Sequence, residues 1–176
     1  MGDLKYPDNI YLVGMPGSGK STLGKQLAEK LNADFYDLDL CIEKEAGKDI
    51  NRIFSEDGES GFRLLERQCL EDLSRIAEIK VIATGGGTPC FHQNIDYMNA
   101  HGVSVFLNVP LEIILERLLD QGTDARPLLR NKSATELLGQ LHDHFQLRKS
   151  HYMKALIHLD GGAISLETIL NGLASL

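Results

Sequence analysis

Residues 10 to 22 read Ile10-Tyr11-Leu12-Val13-Gly14-Met15-Pro16-Gly17-Ser18-Gly19-Lys20-Ser21-Thr22, a short apolar run followed at once by glycines, a lysine and hydroxyls. The apolar run suits a buried strand. Beyond Lys20, the residues Leu23, Leu27, Ala28 and Leu31 recur with a helical period. Gly14, Gly19, Lys20 and Ser21 complete the pattern Gly-x4-Gly-Lys-Ser in the strand–loop–helix setting that such a loop requires. Each residue type has a physical task. Glycines let the backbone curl so that successive N–H groups converge, and the helix that follows adds its positive end. Lys20 can neutralise β- and γ-phosphate oxygens, and Ser21 offers a hydroxyl to Mg2+. Gly17, Ser18, Gly19, Lys20, Ser21 and Thr22 are the candidate triphosphate-binding residues. The loop announces a bound nucleotide and is silent about the reaction.

Working outward, strand and helix signals alternate along all 176 residues. Strands are expected at 10–14, 34–38, 81–83, 103–109 and 155–159, and helices at 20–31, 41–46, 50–55, 59–77, 111–119, 133–149 and 165–173. Five strands alternating with helices predict an α/β fold, a parallel sheet covered on both faces, with ligands beyond the carboxyl ends of the strands. The length predicts one domain, 1–176. No apolar run is long enough to span a membrane, and the N-terminal residues lack a signal-peptide core. Cys41, Cys69 and Cys90 lie far apart, which fits reduced thiols and a cytoplasmic protein. A net charge of -7 argues against generic nucleic-acid binding, so the eight arginines become informative as local cations.

The nucleotide class can be narrowed. Asn131-Lys132-Ser133-Ala134 lacks the aspartate of the guanine-reading Asn-Lys-x-Asp motif, and no Leu-Ser-Gly-Gly-Gln signature of ABC transporters occurs. A small ATP-using phosphotransferase is the natural remaining class. Asp37-Leu38-Asp39 follows the second strand, and alternation in an extended segment predicts both carboxylates on one side. Taken in isolation, such a pair also reads as a solvated turn. Arg63 and Glu66 stand one helical turn apart, as in any i,i+3 surface pair. Gly85-Gly86-Gly87 is costly to fold and is expected where a ligand or another backbone must come close. Arg126-Pro127-Leu128-Leu129 lies in a polar stretch between helices, about 120–132, where a lid could carry one arginine onto a transferring phosphoryl group.

Together and in this order, Gly14–Thr22, Asp37-Leu38-Asp39, Gly58-Glu59 with Phe62-Arg63 and Glu66, the glycine triplet, Arg126-Pro127-Leu128-Leu129, and Arg148 four residues before Tyr152 resemble the shikimate kinase family over nearly the whole chain. The resemblance implies a nucleoside-monophosphate-kinase-like P-loop fold with strand order 2-3-1-4-5. It implies transfer of the γ-phosphoryl of ATP to the 3-hydroxyl of shikimate, on the way to chorismate and the aromatic amino acids. Carried over, Ser21 and, through water, Asp37 would serve Mg2+. Asp39 would hold the shikimate hydroxyls and accept a proton. Arg63, Arg148 and the backbone of Gly86 would bind the acceptor, and the lid's Arg126 would contact phosphate; the acceptor-binding helical segment is expected at about 39–66. ATP and shikimate are the expected partners, with no nucleic acid and no membrane, and a monomer is expected.

Other residues receive blander readings. Glu66 is expected to orient Arg63 or to neighbour the metal site. Cys90 reads as a small filler, and His142, His144, His151 and His158 as surface or core residues. Arg117 stands open between stacking on adenine and a helix-surface role. Where shikimate kinases often carry an arginine after the last strand, this chain has Asp160-Gly161-Gly162, so the adenine contact is expected to be mainly backbone. A gluconate kinase of the same fold shares the loop but should lack the combination of Asp39, Arg63, Gly86 and Arg148. A catalytically silent nucleotide-binding module should lack the lysine, the acids or the lid arginine, all of which are present.

Overall fold

Asn9–Val13 forms the central strand, β1, and every residue in it is buried. The computed structural model describes residues 7–120 and 133–176. In chain order follow α1 (Lys20–Leu31), β2 (Asp34–Asp37), α2 (Leu38–Ala46), α3 (Ile50–Ser74), β3 (Lys80–Ala83), α4 (Asn94–His101), β4 (Val103–Asn108), α5 (Leu111–Asp120), α6 (Ala134–Tyr152), β5 (Ile157–Asp160) and α7 (Leu166–Ala174). The sheet is parallel throughout, in the order β2-β3-β1-β4-β5, as the resemblance implied.

Alternation along β1 builds both halves of the core. Ile10 and Leu12 join Leu27, Val105 and Ile169 on the face covered by α1 and α7. Tyr11 and Val13 join Leu38, Phe62, Phe106, Ile114 and Tyr152 on the opposite face. A strand buried on both sides must read as a continuous apolar run, which is why IYLV was legible. Because the connection out of β1 runs toward β2 while those out of its neighbours β3 and β4 run the other way, a crevice opens past its carboxyl end. The loop Gly14–Gly19 fills that crevice, and Gly19 caps α1 in the left-handed region at φ 98°.

Two boundaries differ from the sequence-based expectation in ways that matter for the site. The second strand stops at Asp37, so Asp37-Leu38-Asp39 is not extended: Asp37 caps α2 and Asp39 lies in its first turn. Leu38, wholly buried, draws the chain inward at that switch, contributing about 2 kcal/mol. The sixth helix runs to Tyr152, not Lys149, which places Arg148 and Tyr152 on one face, four residues apart. Its start is held by a capping box between Ser133 and Glu136. The expected break between 50–55 and 59–77 is a bend inside α3 at Gly58, whose φ of 69° suits glycine. That helix ends at Ser74, and β5 starts two residues later than expected. Among the described residues, no helix is long and apolar enough to cross a membrane.

Candidate active site

The loop after β1, the turn from β2 to α2 and the glycines after β3 converge on one cleft of about 520 Å³, whose walls include residues 16–22, Asp37, Asp39, Gly85, Gly86 and Arg117. Lys20 is buried at its floor and donates from Nζ to the carbonyls of Gly14 and Met15, each at 2.9 Å. The ammonium is therefore held over the loop by the loop's own backbone. Ser21 donates to Asp37 Oδ2 at 2.7 Å, setting a hydroxyl and a carboxylate side by side at the cleft wall. Ser18 Oγ is buried with no hydrogen-bond partner among the described residues.

Asp39 faces the same cleft in spite of its helical backbone, because a strand-to-helix turn directs residues i and i+2 to one side when the middle residue enters the core. Its carboxyl is pushed up to about 6, first by burial, then by Asp37 and Glu66, with Lys20 pulling the other way. It titrates nearer neutrality than an ordinary aspartate, a useful setting for a proton acceptor.

The glycine triplet explains its own composition. A Cβ on Gly85 would stand 2.9 Å from Asp39 Oδ1. One on Gly86 would stand 2.7 Å from Pro16 Cδ and 3.0 Å from Arg148 Nη1, and one on Gly87 2.7 Å from Arg63 Nη2. Three successive backbone positions are thus each faced by a different side chain of the expected acceptor set. Gly86→Ala should force Pro16 and Arg148 apart; we expect at least a 10-fold fall in kcat/KM, read by steady-state kinetics. A parent-like value would show that the loop yields without cost.

Arg63 is fixed from several sides. Its Nη1 donates to Glu66 Oε2 at 2.9 Å, and its guanidinium lies 4.0 Å above the Phe91 ring. Its Nε is buried and has no partner among the described residues. Glu66 is fully buried, and its second oxygen accepts from Thr88 Oγ at 2.6 Å. Asn94, also fully buried, donates to the Thr88 carbonyl at 2.9 Å. Glu66 is therefore the orienter of Arg63, one of its two expected roles. Cys90 borders Arg63 and Arg148, and burial pushes its thiol up, consistent with an inert filler.

Gly17 to Thr22, Asp37, Asp39 and Gly86 line one cleft, with Arg63 and Arg148 against the adjoining glycines. Arg126 and nearly all of the expected lid (residues 121–132) lie outside the described residues. Arg117, left open by sequence, donates to the carbonyls of Gly17 and Ser18 at 3.3 Å and to that of Gly162 at 3.2 Å, tying the phosphate loop to the segment after β5. Thr88 and Asn94 were not singled out by sequence; adjacency to the triplet was the only signal for Thr88.

This is a P-loop kinase architecture, in which the loop after β1 opens onto a cleft and Arg148 and Arg63 stand against the glycines at its edge. The family model described as shikimate kinase matches residues 16–173. The shikimate kinase of Azobacteroides pseudotrichonymphae is 42% identical over 148 residues, 84% of this chain and 86% of that one. The crystal structure of shikimate kinase from Bacteroides thetaiotaomicron superposes with a TM-score of 0.81 at 36% identity, covering 95% of this chain and 94% of that one. Shikimate kinase from Acinetobacter baumannii in complex with shikimate gives 0.79 at 34%, covering 93% and 88%. The chain belongs to the shikimate kinase family and is an ATP-dependent kinase of that family.

Proposed function

We propose that this cleft transfers the γ-phosphoryl of ATP to the 3-hydroxyl of shikimate, giving ADP and shikimate 3-phosphate. The observation that carries the reading is the glycine triplet, which brings Asp39, Arg148 and Arg63 against three consecutive residues at the edge of a phosphate cradle. Gly17 to Thr22 hold the triphosphate, with Lys20 exchanging its two carbonyl partners for phosphate oxygens. Arg63 and Arg148 bind the shikimate carboxylate, with a backbone contact from Gly86; arginine's planar fork suits a carboxylate. Asp39 holds the acceptor hydroxyls and accepts the proton as the oxygen–phosphorus bond forms and the bond to the ADP oxygen breaks. Arg126 brings a further cation to the phosphates.

Ser21 and Asp37 supply adjacent hard oxygens at the cleft wall, a donor set that fits Mg2+, which keeps most of its waters and leans on phosphate oxygens. Bound there, Mg2+ would neutralise charge on the β- and γ-phosphates. We further propose a cytoplasmic monomer with ATP and shikimate as its partners, binding neither nucleic acid nor membrane.

The direct test is ADP release followed with shikimate, with gluconate and with no acceptor; turnover on shikimate alone is expected, and turnover on gluconate alone would sink the reading. Arg63→Ala is expected to raise the KM for shikimate about 30- to 300-fold while leaving the KM for ATP within about 3-fold. An equal rise in both would contradict the acceptor role.

A further inference from the structure

Tyr152 is wholly buried at the end of α6, yet its hydroxyl emerges beside the acceptor glycines. It donates to the Gly86 carbonyl at 2.6 Å, and its oxygen also lies 3.7 Å from Met15 Sδ in the phosphate loop. The ring is stacked on Phe106 of β4 at a centroid distance of 5.0 Å and tilted against Phe145 of its own helix. Ring and hydroxyl are therefore fixed by separate contacts. Burial raises the phenol well above its usual range, with Arg148 beside it pulling the other way, so the group stays a hydrogen-bond donor.

We infer that Tyr152 is a positioning residue of the acceptor site: its hydroxyl sets the orientation of the Gly86 peptide and, through α6, the placement of Arg148 above it. In a planar trans peptide the carbonyl and the N–H point in opposite directions. Holding the Gly86 carbonyl to the buried phenol fixes the plane of the Gly86–Gly87 peptide and so the orientation of the Gly86 backbone, which contacts the carboxylate in the reading above. Gly86 also takes the close approach of Arg148 Nη1 on one side and Pro16 on the other. One hydroxyl thus locks a backbone element and a guanidinium that must act on the same carboxylate. A phenylalanine would preserve the stacking and leave a buried carbonyl unpaired, which is costly. The inference rests on the shikimate-binding reading above.

The test compares Tyr152→Phe with the parent and with Phe145→Leu, a control that disturbs the ring packing without touching the hydroxyl. Tyr152→Phe is expected to raise the KM for shikimate roughly 5- to 30-fold, with the KM for ATP within about 2-fold and kcat within about 3-fold. Phe145→Leu should leave the ratio of the two KM values at the parent value. An unchanged KM for shikimate in Tyr152→Phe would overturn the assignment. So would a parallel rise in both KM values, a variant that fails to fold by circular dichroism, or a matching shift in Phe145→Leu, since each makes the bond merely structural. A parent enzyme inactive on shikimate would overturn the underlying reading instead, and that result appears before any substitution is made.

Discussion

Replacing Lys20 by alanine is expected to lower kcat at saturating ATP and shikimate by about 10^3-fold. The side chain is buried and its ammonium is anchored by the carbonyls of Gly14 and Met15 before any nucleotide arrives. Little reorganisation is then needed when phosphate oxygens replace them, and a preorganised cation stabilises developing charge far better than one recruited from solvent. Phosphoryl transfer asks the protein mainly for positioning and neutralisation, so losing the central cation should cost more than losing a binding contact. The fold should survive, because the charge contributes nothing to either half of the hydrophobic core. Steady-state kinetics with a circular dichroism control would decide the matter; a fully active Lys20→Ala enzyme would undo the phosphate-loop argument.

The second large effect is expected at Asp39. Asp39→Asn keeps the shape and removes the proton acceptor, so kcat should fall by about 10^2- to 10^4-fold. The same change should stabilise the unliganded protein at neutral pH, and the sign follows from linkage. The Asp39 carboxyl is raised from 3.8 to about 6 in the folded state. Between those values the folded chain binds more proton than the unfolded chain, so stability falls as pH rises through that window. Above about pH 6 the buried charge costs on the order of 1–3 kcal/mol, a cost that asparagine avoids. Thermal unfolding should therefore show the variant melting roughly 2–8 °C higher at pH 7.5, with the gap closing toward pH 4. A variant that is inactive and also less stable at neutral pH would mean that Asp39 is held by favourable contacts instead of by strain against Asp37 and Glu66.

This antagonism between stability and activity has a visible origin. Burial, Asp37 and Glu66 each raise the Asp39 carboxyl more than Lys20 lowers it, and the Arg63 guanidinium is paired with Glu66. The polar chain from Asn94 through Thr88 and Glu66 to Arg63 pairs buried side chains in succession and fixes one edge of the guanidinium.

Much of the fold was legible because its determinants are local. The strand–loop–helix around Gly14–Thr22 follows from an apolar run, glycines and a helical period, all within about 20 residues. The separate helices expected at 50–55 and 59–77 are one helix bent at Gly58, a local interruption that the sequence marked by position and not by kind. The acceptor set was legible only through the family resemblance, since Asp39, Arg63, Gly86 and Arg148 are separated by up to 109 residues. For Asp37 and Asp39 the expected shared side was right and the reason was not. The carboxylates meet across a strand-to-helix turn driven by burial of Leu38, a packing effect that no periodicity rule encodes.

The sequence by itself determined the class of fold, the phosphate cradle and the identity of the charged groups, because backbone propensity and side-chain chemistry are properties of short segments. The tertiary structure alone decided that Arg63 meets Glu66 across from Thr88, that Arg117 ties the phosphate loop to Gly162, and that Tyr152 reaches the Gly86 carbonyl from 66 residues away. Those contacts depend on how the helices settle on the sheet. That settling is fixed by close packing of the whole core, to which every buried residue contributes at once.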